Sequence, residues 1–82
     1  DLEVTGGTSN DWGAGYCAEL DVHNNGDAPV RWEVIIEVDG MINNNWESET
    51  DNKSGQVRFT GAPHNVEIQP GGQAHFGYCA QR

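Results

Sequence analysis

Apolar side chains return at every second position through four stretches of this chain. In Tyr16–His23, Tyr16, Ala18, Leu20 and Val22 share one parity, while Cys17, Glu19, Asp21 and His23 take the other. In Val30–Val38, Trp32, Val34, Ile36 and Val38 point one way and Arg31, Glu33, Ile35 and Glu37 the other. Val57 and Phe59 mark the inward face of Gln56–Thr60, and Ala74, Phe76 and Tyr78 that of Gln73–Ala80. A period of two is the signature of half-buried strands. Weaker alternation at Leu2–Thr5 predicts an edge strand, and Met41–Trp46 another strand ending in a polar loop. Loops are expected at Gly6–Asn10, at Asn24–Pro29 with its Asn-Gly signature, at Asp39-Gly40 and at the charged Glu47–Ser54. Gly61–Gly72 reads as a stiff pair of turns around a very short strand, presenting His64. No stretch carries a helical period. About seven short strands at this spacing predict an all-β fold, an antiparallel two-sheet β-sandwich of immunoglobulin-like type.

Composition narrows what such a fold can do. Eighty-two residues suffice for one domain, residues 1–82, with a modest core. Thirteen acids against four bases give a formal charge of −9. Nucleic acid and anionic membranes are therefore poor partners, because both need Lys and Arg. No apolar run approaches the length of a membrane span. The acidity also suits a salt-rich medium, where self-repulsion is screened. The start at Asp1 reads as a processed boundary, so a module from a longer secreted chain is expected. Two cysteines in a small Gly-rich β domain point to one disulfide and an oxidising compartment; two free thiols are the alternative. Parity favours the bridge. If Tyr16–His23 and Gln73–Ala80 are neighbours, Cys17 and Cys79 face each other on the outer side. Closing so long a loop would contribute about 4 kcal/mol.

The aromatic residues carry the functional signal. Trp32 has core parity. Trp12, between Asp11 and Gly13, and Trp46, between Asn45 and Glu47, do not. Each is either a lid over the core edge or an exposed platform. Flat indole faces stack on the apolar C–H faces of sugar rings. Asn10 and Asn44 each lie two residues before one of these tryptophans, and their amides can hydrogen-bond sugar hydroxyls.

Asn10–Tyr16, Val22–Trp32, Asn45-Trp46, Ser54-Gly55, Ala62–Asn65, Ile68–Gly72 and Phe76–Tyr78 together resemble the family 2 carbohydrate-binding modules, in order and over nearly the whole chain. The resemblance implies a β-sandwich that binds insoluble chitin, cellulose or xylan while attached to a secreted hydrolase or oxidase. It places Trp12 and Trp46 on two of three stations of a flat aromatic strip, and His64 on the third, where most members have Trp. It buries Trp32 and sets Asn10, Asn44, Glu19 and His75 beside the strip. The family's usual disulfide joins the ends of the module, so the pairing of Cys17 with Cys79 rests on parity and not on the resemblance. The Ala18–Asp21 run is similar to archaeal chitin-binding members. Glu19 and Asp21 can accept hydrogen bonds from the acetamide N–H of chitin, or belong to a generally acidic surface.

Other chemistry has little support. Acids are too abundant for a pair to indicate a glycosidase, no Gly-x-Ser-x-Gly elbow occurs, and no calcium loop follows Asp39. His23, His64 and His75 lack zinc-site spacing. Asn52-Lys53-Ser54 is a glycosylation sequon. The expectation is therefore a non-catalytic, cofactor-free and metal-free secreted monomer. Its partners would be a chitin or, second, a cellulose surface and a covalently linked catalytic domain. The rival is a structural or adhesion spacer with no affinity for polysaccharide.

Overall fold

The computed structural model describes residues 2–82. Eight strands and no helix make up the described chain: β1 (Leu2–Asp11), β2 (Gly15–Asn24), β3 (Val30–Arg31), β4 (Glu33–Trp46), β5 (Ser48–Thr50), β6 (Ser54–Gly61), β7 (Glu67–Ile68) and β8 (Gln73–Gln81). All pairings are antiparallel, in a six-stranded sheet ordered β1-β2-β8-β4-β6-β5 and a two-stranded sheet, β3-β7. The expected sandwich is thus present, with eight strands instead of about seven.

The fourteen-residue β4 lies between β8 and β6 in the six-stranded sheet. Its first part, Glu33–Val38, pairs with β6, and its second part, Met41–Trp46, pairs with β8, with Met41 also opposite Ser54 of β6. The Asp39-Gly40 step is not the strand-ending turn its sequence predicts. Gly40 takes φ 83° inside a continuous strand, a conformation that glycine adopts freely. Its missing side chain lets the Gln81 backbone approach closely. The chain changes partner there and continues.

The alternating positions supply the core. Phe59 on β6 meets Phe76 and Tyr78 on β8 with ring centroids 5.2 Å apart in both cases, although these strands share no ladder. Trp32 stacks on Phe76 at 4.9 Å. Val22, Trp32, Val57, Phe59, Phe76 and Ala80 are essentially sealed from solvent, and burial of this kind contributes roughly 25 cal/mol per Å². Leu20 is only half-buried against them.

Three further expectations change. Gly6–Asn10 is strand, not loop, with a bulge between Thr8 and Asn10. It lacks apolar residues because β1 is an edge held to β2 by its backbone, and most of it is exposed. Within Glu47–Ser54, the Ser48–Thr50 segment pairs with β6 as a short edge strand. Val30 and Arg31 form a separate strand from β4, because the Trp32 N–H donates to the Val66 carbonyl, away from β6.

Asn24 is fully buried, and it organises one end of the molecule. Its side-chain N–H donates to the carbonyls of Ala28 and Ile68, both at 2.9 Å, and its Oδ1 accepts from the Gly26 N–H. Its backbone bonds Gly71 and Gly72. One side chain therefore closes the 24–29 turn and fixes the turn that launches β8.

Candidate carbohydrate-binding face

The outer face of β1-β2-β8 and the second part of β4 collects most of the expected site residues. Register alone places them. Asn10 pairs with Cys17, Cys17 with Cys79, and Cys79 with Asn44, so these four form one row across four strands. The next row is Gly7, Glu19, Gly77 and Trp46, and beyond it lie Thr5, Asp21 and His75. On the other side of the cysteine row, Gly15 pairs with Gln81 and Gln81 with Met41. Cys17 and Cys79 are bonded as a disulfide that spans a sequence separation of 62, as their outward parity predicts.

Both surface tryptophans rest on glycines. A Cβ on Gly77 would lie inside the Trp46 indole, 2.7 Å from Nε1, and one on Gly15 would lie 2.8 Å from Cζ2 of Trp12. The two rings therefore lie down over β8 and β2, one on each side of the disulfide row. Trp12 remains 54% exposed and Trp46 is half-buried. Gly15 and Gly77 are four residues apart in strand register, since Gly77 pairs with Glu19, which sets the rings roughly 13 Å apart along the strands.

The Trp12 loop is clamped from the far end of the chain. Arg82 holds both carboxylate oxygens of Asp11, from Nη1 at 2.9 Å and Nη2 at 3.1 Å, and it donates to the Gly13 carbonyl and to Asp39. Its guanidinium also lies 4.5 Å from the Tyr16 ring centroid. The Arg82 N–H donates to the Ala14 carbonyl. The Arg82 side chain first, and then the Gly13 N–H, hold the Asp11 carboxyl below the usual carboxylate range. Composition gives no hint of this role for Arg82, because its partners lie 71 and 43 positions away. Arg82→Ala is expected to loosen the 11–14 loop and weaken ligand binding several-fold, with the core unchanged. Comparing the binding isotherm with the near-ultraviolet dichroism of the variant checks this.

The second loop is built on Glu47 and Trp32. Glu47 has φ 59°, a region costly for a residue with a side chain. It is pinned on both sides. Its Oε1 takes a hydrogen bond from His64 Nε2 at 2.8 Å, and its carbonyl accepts from the Asn65 side-chain amide at 2.9 Å. Trp32 donates through Nε1 to the Asn65 carbonyl at 2.9 Å. His64 thus stands on the β6–β7 connection at the Trp46 end of the face, with its side chain 62% exposed. Glu47 was not legible as a site residue, since a left-handed conformation leaves no compositional trace unless Gly or Asn supplies it.

Glu19, Asp21 and His75 use each other. His75 Nε2 bonds Glu19 at 2.8 Å and Nδ1 bonds Asp21 at 2.9 Å. Asp21 chiefly, then Glu19, raise the His75 pKa above its ordinary value, and partial burial opposes them. The stability from this pairing is therefore fully present below about pH 6.5, the unfolded value, and is lost as pH rises through the higher folded value. Urea midpoints of the native protein and His75→Gln are expected to differ at pH 6 and to converge at alkaline pH. Asn10 and Asn44 are exposed. Their neighbours Ser9 and Asn45 donate to the Cys17 and Ser48 carbonyls, whereas the Asn10 and Asn44 amides have no partner among the described residues.

Among the described residues no enclosed pocket forms and no cluster of metal-ligating side chains gathers. What remains is an open sheet face with two seated indoles, suited to a flat and extended ligand. The chain belongs to the cellulose-binding-domain family, whose model matches residues 2–82. It is similar in structure to part of chitinase ChiA74 from Bacillus thuringiensis, with a TM-score of 0.78 and 28% identity over 95% of this chain. That match spans only 13% of the chitinase. The chitin-binding domain of Chi18aC from Streptomyces coelicolor has the same fold, with a TM-score of 0.75 and 21% identity, and the match covers 96% of this chain and 78% of that one. No curated protein matches the chain.

Proposed function

We propose that this module holds a secreted polysaccharide-degrading enzyme on an insoluble β-1,4-linked polymer, chitin ahead of cellulose. The observation that carries the reading is the pair of glycine-seated indoles on one open face, with two unpartnered asparagine amides in the row between them. Stacking supplies affinity without charge, which suits a neutral polymer and a module of charge −9. Trp12 and Trp46 provide the stacking, and His64 is the third contact. Asn10, Asn44, Glu19, Asp21 and His75 set orientation.

Two points favour chitin. Glu19 shares the Trp46 row, and its carboxylate keeps acceptor capacity beyond the bond to His75. Chitin offers an acetamide N–H to such an acceptor and cellulose has none. Two solved structures that it resembles are named for chitin chemistry. The disulfide agrees with an extracellular setting. The size of the matched chitinase, of which this fold is 13%, supports attachment to a catalytic domain. The test is co-sedimentation of the module with insoluble chitin and insoluble cellulose. Stronger retention on chitin is expected. Stronger retention on cellulose reverses the preference, and retention on neither would favour a spacer.

A further inference from the structure

The disulfide lies where a bridge serving stability alone has no need to lie. It is not in the core, but between the two indoles on the outer face. Both cysteines are partly exposed. Trp12 rests on Gly15, two residues before Cys17, and Trp46 rests on Gly77, two residues before Cys79. Because β2 and β8 run antiparallel, those two offsets fall on opposite sides of the bridge. Any extended ligand stacked on both rings must pass over the sulfurs.

The same row carries Asn10 on one flank and Asn44 on the other. Three strand spacings separate them, roughly 14 Å between backbones, and both amides are free to reach inward.

We infer that Cys17–Cys79 is the floor of a central sugar subsite between the two stacking stations, and that Asn10 and Asn44 are its two walls. This rests on the polysaccharide reading above and specifies that site further. A disulfide is a polarizable, weakly hydrated surface, as other sulfur side chains are. It presents no strong donor or acceptor that must be desolvated, so a ring can lie over it with its C–H face down. Each asparagine amide offers both donors and an acceptor, matching the hydroxyls that project sideways from a ring lying flat. The strip is then three contiguous contacts, indole, disulfide and indole, and His64 extends it beyond Trp46. The ligand class is a run of at least three β-linked pyranose units in an extended conformation.

The experiment compares binding of insoluble chitin by the native module, by Cys17→Ala/Cys79→Ala, and by Asn10→Ala/Asn44→Ala. Far-ultraviolet dichroism and urea unfolding report the fold of each. The cysteine and asparagine variants are each expected to bind about tenfold more weakly while folded. Native affinity in a folded cysteine variant would overturn the inference and leave the polysaccharide reading standing. Native affinity in the asparagine variant would overturn the walls, and with them the subsite.

Loss of the bridge lowers folding stability, so a second measurement uses the native protein. Titration with the soluble hexamer of N-acetylglucosamine is followed by NMR at the Cβ atoms of Cys17 and Cys79 and at the indole N–H groups of Trp12 and Trp46. Shifts at all four sites support the subsite. Shifts at the indoles with unmoved cysteine Cβ atoms overturn it. A native module retained on no polymer would overturn the polysaccharide reading, and the subsite falls with it.

Discussion

Trp12→Ala/Trp46→Ala is expected to lower affinity for insoluble polysaccharide by about three orders of magnitude while leaving the fold intact. One indole face offers roughly 80 Å² of apolar contact. At about 25 cal/mol per Å² that is about 2 kcal/mol, or close to thirtyfold per ring. The rings sit on opposite sides of the disulfide row, far enough apart for the two losses to add. Neither side chain belongs to the core, whose buried members include Trp32 but not Trp12 or Trp46. The double variant also keeps Trp32 as its single tryptophan, sealed and stacked on Phe76. Its emission should therefore be blue-shifted, and it should move to the red only on unfolding. Depletion isotherms on chitin measure the loss. A reduction of less than tenfold in the double variant would mean that the face is held by hydrogen bonds and not by stacking.

Asn24→Ala is expected to cost about 3 kcal/mol of folding stability. The native side chain is sealed from solvent and makes three hydrogen bonds, of which the one to the Ile68 carbonyl is buried and the other two are partly so. Its removal leaves the Ala28 and Ile68 carbonyls and the Gly26 N–H without that partner. Each such bond contributes about 1 kcal/mol net, and stranding a buried group costs more. A domain of this size has a stability of roughly 4–12 kcal/mol, so the change is a large share of the whole. Asn24→Asp should do no better, since it keeps the acceptor, loses both donations and buries a carboxylate. Urea unfolding measures the difference. A change below 1 kcal/mol would show that the two turns close without Asn24.

The sandwich was legible wherever one face of a strand is buried. Parity placed Tyr16, Ala18 and Val22 of β2, and Phe76 and Tyr78 of β8, in the interior, as observed. It also set Cys17 opposite Cys79. Strands exposed on both faces left no such trace. Gly6–Asn10 is joined to β2 by backbone bonds that no side chain announces. At Asp39-Gly40 a turn-forming pair serves as a bend within one strand, because the partners that hold it there, β6 and β8, are remote in sequence. Asn24 looked like one more residue of a turn, and its burial depends on Ile68, 44 positions away.

The face was read in part. Its tryptophans stood out because they broke the alternation. The row of Asn10, Cys17, Cys79 and Asn44 depends on two bulges, in β1 and in β4, that shift register before each asparagine. A bulge moves every later residue to the opposite face, and nothing local in Thr8-Ser9-Asn10 or Ile42-Asn43-Asn44 fixes its place. The clamps by Arg82 and Glu47 are long-range for the same reason.

Gly15 and Gly77 have a consequence for anyone who would make this protein hardier. Glycine inside a strand is a poor choice for stability, by roughly 0.5–1 kcal/mol against alanine, and a β-branched residue is a natural replacement. By that logic these two positions are among the first to be changed in a thermostabilised variant. Either change would lift an indole off its seat. A screen that selects for melting temperature alone would thus drift toward a tougher scaffold that has lost its grip, and only a screen that also scores retention on polymer would leave both glycines in place. On the proposed reading, Gly15 and Gly77 give up strand stability to seat the two rings.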